Sequence, residues 1–98
     1  MGFVMVSSHF PPSKSKEIGQ VFGKLPKVPE YVKLVQILVT QSEDIQIYST
    51  YEVEEDKFYD GIKAIGQRYV PYHAVEGFKY KIETCLTVRE ALALIGLG

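Results

Sequence analysis

Along this chain the apolar residues switch between two spacings, one suited to strands and one suited to helices. Phe3 to His9 (FVMVSSH) predicts a first strand, with Val4 and Val6 on one side and Phe3, Met5, Ser7 and His9 on the other. Pro11 and Pro12 end it. Ser13 then suits a helix N-cap, and Ile18, Val21, Phe22 and Leu25 stand at i, i+3, i+4 and i+7, the face of a helix running to about Lys24. Pro26 and Pro29 stop that helix.

Tyr31 to Thr40 (YVKLVQILVT) is β-branched and apolar at most positions, which predicts a second strand. Its alternation sets Val32, Leu34 and Leu38 on one side and Val35, Ile37 and Val39 on the other. Gln41 to Asp44 makes a turn, and Ile45 to Val53 returns as a third strand. Ile45, Ile47, Tyr51 and Val53 share one of its faces; Gln46, Tyr48, Thr50 and Glu52 share the other. Three acids, Glu54 to Asp56, open a second helix, whose stripe is Phe58, Ile62, Ile65 and Tyr69. A fourth strand is expected from Ala74 to about Cys85, with Gly77 as a possible bulge. Thr87 to Glu90 reads as a capping box, and the short helix it starts ends at Gly96.

This order predicts one α+β domain over residues 1–98, a two-layer sandwich with both main helices on one face of an antiparallel sheet in the order 4-1-3-2. The β-α-β-β-α-β succession resembles the ferredoxin-like fold. The second sheet face carries Phe3, Met5 and Tyr48, and the second strand is apolar on both sides, so a single copy lacks a layer to cover it. In that respect the chain resembles the dimeric α+β barrel superfamily. The resemblance implies a homodimer packed sheet against sheet, among proteins that include small cofactor-independent enzymes and ligand-sensing domains. The alternative is that the C-terminal helix folds back over the open face.

Composition narrows the partners. A net charge of -1, with 11 basic residues dispersed among 12 acidic ones, argues against a nucleic-acid footprint. The single cysteine, Cys85, excludes an internal disulfide and a cysteine-built zinc cage. The N-terminal apolar run is too short for a signal peptide or a membrane span, so a cytoplasmic location is expected. No motif demands a cofactor or a metal, and neither nucleotide-binding nor nucleophile-elbow glycine patterns occur.

Candidate chemistry gathers at one end of the expected sheet. The end of the first strand, the turn with Glu43 and Asp44, and the start of the fourth strand meet there, bringing His9, Tyr72 and His73 into one neighbourhood, with both histidines on the helix-free side. His9 is the candidate general base, and Tyr48 the group that would orient a carbonyl or phenolate. Ser7, Gln46, Thr50, Tyr72 and His73 are candidate ligand contacts around a cavity on the helix-free face. A lysine-flanked helix start at Ser13 to Lys16 suits an anion but is explained by capping alone. Tyr51, Tyr69 and Tyr80 read as core residues whose hydroxyls reach the rim.

Three functions fit this outline. The first is a homodimer that binds, or transforms, a small apolar or aromatic molecule on the helix-free face. The second is a regulatory or assembly module resembling ACT-type domains, although the first loop, His9 to Ser13, lacks their glycine. The third, an RNA-recognition motif, is disfavoured because Ile45 to Val53 has neither the required aromatic pattern nor a basic face.

Overall fold

A computed structural model describes residues 1–97. Four strands, β1 (Gly2–Phe10), β2 (Val32–Gln41), β3 (Ile45–Val53) and β4 (Lys79–Cys85), form one sheet. They lie in the order β2-β3-β1-β4, which from the other edge reads 4-1-3-2, and each neighbouring pair is antiparallel. Three α-helices accompany them: α1 (Ser15–Phe22), α2 (Phe58–Tyr69) and α3 (Val88–Leu94).

The core lies between the sheet and the first two helices. Val4 and Val6 of β1 and Tyr51 and Val53 of β3 are sealed under Ile18 of α1 and Ile65 of α2. The packing of α2 depends on Gly61, where any Cβ would collide with Val53 of the strand beneath. Burying that aliphatic layer supplies most of the driving force, at roughly 1.5–3 kcal/mol per large side chain. An aromatic file continues the core toward β4: Tyr72 stacks on Phe78 at 4.5 Å between ring centroids, and Tyr69 on Tyr80 at 5.3 Å.

Several local expectations are corrected. Ser13 does not cap α1; it sits inside a single 3-10 turn, Pro12–Lys14, and α1 starts afterwards without a side-chain cap. The acids before α2 likewise lie at a 3-10 turn, Glu55–Lys57. Residues Val70–Ala74 form another 3-10 turn, so β4 begins at Lys79, and Gly77 (φ 85°) belongs to the preceding turn. The bulge falls in β2 instead: Leu34 pairs with Tyr51 and Gln36 with Thr50, which leaves Val35 without a partner.

That bulge reverses the alternation of β2. Ile37 and Val39, opposite Ser49 and Ile47, therefore join the helix side with Val32 and Leu34. Lys33, Gln36, Leu38 and Thr40 occupy the helix-free side, opposite Glu52, Thr50, Tyr48 and Gln46. The helix-free face is thus a mixed surface, with Phe3, Met5, Leu38 and Tyr48 set among polar and charged side chains. It is not continuously apolar, as the uninterrupted alternation predicted.

Candidate functional site

α1 has eight residues and α2 has twelve, so the helix layer stops short over one corner of the sheet. There the ends of β2 and β3 stand partly uncovered, and a groove of about 350 Å³ opens beside α1. Its walls are Phe22 and Leu25 from the α1 side and Ile37, Val39, Ile45 and Ile47 from the hairpin. Val39 is 52% exposed and Phe22 51%, although both belong to the apolar pattern that elsewhere builds the core.

The floor of the groove is polar. Ser8 and Ser49 line it from neighbouring strands, buried at positions where the alternation of β1 and β3 otherwise places core residues. The Tyr51 and Tyr69 hydroxyls lie 3.2 Å apart beside them. Burial, followed by the bond to Tyr69, holds the Tyr51 phenol well above its usual pKa; burial pushes Tyr72 up to about 12. Both phenols therefore remain protonated at neutral pH. Arg68, near the end of α2, reaches across to donate a hydrogen bond to the Pro26 carbonyl in the loop after α1, and it also lines the groove. Its guanidinium carries five N–H donors, enough to face a ligand as well as that carbonyl. No histidine, cysteine or carboxylate side chain is among the groove's lining residues.

The helix-free face has a second, shallower depression of about 420 Å³. It gathers four of the residues singled out from the sequence: Ser7, His9, Gln46 and Tyr48. Lys79 and Lys81, opposite His9 and Ser7 on β4, complete its rim. Tyr48 donates a 2.6 Å hydrogen bond to the Gln46 side-chain oxygen, and His9 Nδ1 stands 3.4 Å from an Asp44 carboxylate oxygen. Thr50 lies on the same face in the next row, opposite Met5.

The two remaining candidates do not join this group. Tyr72 is buried on the helix side, stacked against Phe78, where it lines the other groove. His73 Nε2 is 2.7 Å from the Tyr80 hydroxyl, and Tyr80 is in register with Ser8 of the helix-facing set. His9 and His73 thus belong to opposite sides of the sheet. The reason is the 3-10 turn at Val70–Ala74, which ends the loop before β4 begins and folds Tyr72 back onto the core. Among the described residues there is no cluster of three or more His, Cys, Asp or Glu side chains.

Ser8, Ser49 and Arg68 are not among the residues that the sequence singles out. The serines did leave a signal, a hydroxyl interrupting an otherwise apolar register in each central strand. Arg68 left none, because its role depends on where the α1–β2 loop passes.

No family model matches the sequence, and no curated protein matches it. One solved structure is similar, described as "De novo designed protein Foldit4", with a TM-score of 0.57 and 7% identity over 88% of this chain and 97% of that one. At that identity the likeness concerns the fold alone.

Proposed function

We propose that this protein binds a small molecule with an apolar or aromatic body and an acidic or carbonyl head, seated in the groove beside α1. The observation that carries the reading is the composition of that groove: aliphatic and aromatic walls over a floor of serine hydroxyls, tyrosine phenols and Arg68. The walls take the body out of water at about 25 cal/mol per Å². The floor supplies donors, and the guanidinium favours a negatively charged head. The absence of any side-chain base, thiol or carboxylic acid among the lining residues favours binding over turnover.

This reading moves the ligand from the helix-free face, where the apolar cavity was expected, to the helix side. The bulge at Val35 turned Ile37 and Val39 that way and left the other depression lined by lysines, His9, Gln46 and hydroxyl groups. The strand order supports reading the fold as ferredoxin-like. A regulatory role in sensing an effector would use the same groove.

A fluorescent naphthalene sulfonate tests the proposal, since it combines an aromatic body with an anionic head. Its emission is expected to rise on binding and to be displaced by decanoate. Val39→Asp, at an exposed wall position, leaves the fold intact and weakens both ligands by about tenfold or more. Arg68→Gln weakens decanoate more than decanol, because only the acid uses the guanidinium. If decanoate and decanol compete equally in the wild type, and Val39→Asp changes neither, the groove is not the site.

A further inference from the structure

Among the described residues, α3 and its flanks, Leu86 to Leu97, are folded yet covered by no other element. Both ends of α3 are specified by local chemistry. At its start the Thr87 hydroxyl accepts from the Glu90 backbone N–H at 3.1 Å while the Glu90 carboxylate accepts from the Thr87 N–H at 2.8 Å, the capping box expected from the sequence. These bonds also hold the Glu90 carboxyl below its usual pKa. At its end Gly96 takes φ 82°, its N–H reaches the Ala93 carbonyl and that of Leu97 reaches the Leu92 carbonyl.

Between these caps Val88, Ala91, Leu92 and Ile95 fall at i, i+3, i+4 and i+7, one apolar stripe, with Arg89 and Glu90 turned away from it. Every residue from Leu86 to Leu97 is nevertheless exposed, Val88 at 77% and Ile95 at 70%. A helix of seven residues does not persist in water on caps alone, because nucleation costs more than so few hydrogen bonds return. The stripe therefore calls for a surface to bury it, and the tail does not fold back over its own open sheet.

The same chain presents a partly apolar surface, with Lys33, Glu52, Lys81 and Glu83 around its apolar members. The helix-free face has no third layer, and Phe3, Met5, Leu38 and Tyr48 lie across its three neighbouring strands β1, β3 and β2. Only Leu86 and Thr87 separate α3 from Cys85, which is in register with Phe3, so the unburied helix starts at the end of that face.

We propose that two copies of this chain exchange their C-terminal helices, each α3 laying its Val88–Leu92–Ile95 stripe across the helix-free face of the other. The area suffices. Leu86, Val88, Leu92, Ile95 and Leu97 offer on the order of 100 Å² each, about 500 Å² per tail. Two tails with the sheet surface they cover then bury about 2,000 Å² in all, at the upper end of standard stable interfaces. A second copy is the occupant because donor and acceptor occur on one chain, so a two-fold axis satisfies both pairs at once and closes the assembly. Nothing in this contact involves the groove beside α1.

Sedimentation of the full chain at micromolar concentration tests the exchange, together with a disulfide trap. The wild type is expected to sediment as a dimer and Leu92→Asp/Ile95→Asp as a monomer with an unchanged melting profile by near-ultraviolet signal and a far-ultraviolet spectrum that loses no more than the contribution of α3, since both positions are exposed in the single copy. In a Cys85→Ala background, a Met5→Cys copy mixed with a differently tagged Leu92→Cys copy is expected to oxidise to a mixed dimer. A monomeric wild type, a dimer that survives the double substitution, open-ended polymers, or Leu92→Cys copies that link only to one another would each overturn the proposal.

Discussion

The two crossover helices perform the same topological task with different results. α2 runs for twelve residues, brings Ile65 to complete burial and sits close to the sheet over Gly61. α1 runs for eight, buries only Ile18, and has a glycine, Gly19, with open space where its Cβ would be. One helix therefore closes a core and the other leaves a groove. In a fold with two helices over four strands, a shortened helix is a direct way to make room for a ligand while the other half supplies stability.

The contrast is sharpened first by Ile65→Ala. Removing a fully buried side chain under α2 is expected to cost about 2–5 kcal/mol in urea unfolding. A loss of less than 1 kcal/mol would mean that α2 is packed no better than α1. Gly61→Ala comes next, with about 1–3 kcal/mol lost as the new methyl pushes α2 off Val53. The corresponding change in α1 has the opposite sign. Gly19→Ala meets no neighbour and is expected to stabilise the protein by about 0.5–1 kcal/mol, measured as a rise in Tm. If it destabilises, α1 is more tightly docked than its exposure indicates.

The smallest effect at neutral pH belongs to the tyrosines. Tyr51 and Tyr72 titrate higher in the folded chain than the ordinary phenol value of 10.0, so the folded state holds its protons longer than the unfolded state. Their contribution is intact below pH 10 and is lost as pH rises toward the folded values, about 12 for Tyr72. Tyr72→Phe removes part of that slope and is expected to flatten the fall of stability above pH 10, leaving the pH 7 value nearly unchanged. An alkaline profile identical to wild type would mean that Tyr72 reaches solvent.

Much of this architecture is legible in the residues. The two faces of β3, the stripe of α2 and the capping box of α3 all follow from local spacing and recur in the structure. Four of the residues expected to converge on the helix-free face do so, because β1 and β3 are regular and their register carries Ser7 and His9 to Tyr48 and Gln46. What was not legible came from single interruptions. An apolar run such as VKLVQILVT holds no sign of which residue is passed over in pairing, so the side taken by Ile37 and Val39 is decided by the partner strand. Tyr72 was misplaced for a similar reason, since the 3-10 turn that folds it inward carries no sharp sequence signature.

The unpaired Val35 works like a frameshift in side-chain direction. Were Val35 paired like its neighbours, one rhythm would run through the strand, and the outer half of β2 would present Ile37 and Val39 to the opposite layer. Deleting that one residue would only remove the extra link, because Leu34 and Gln36 already pair with consecutive residues of β3, and each side of the sheet would keep its character. The location of an apolar surface on this sheet is thus set by which residue the pairing passes over, with no lining residue changed.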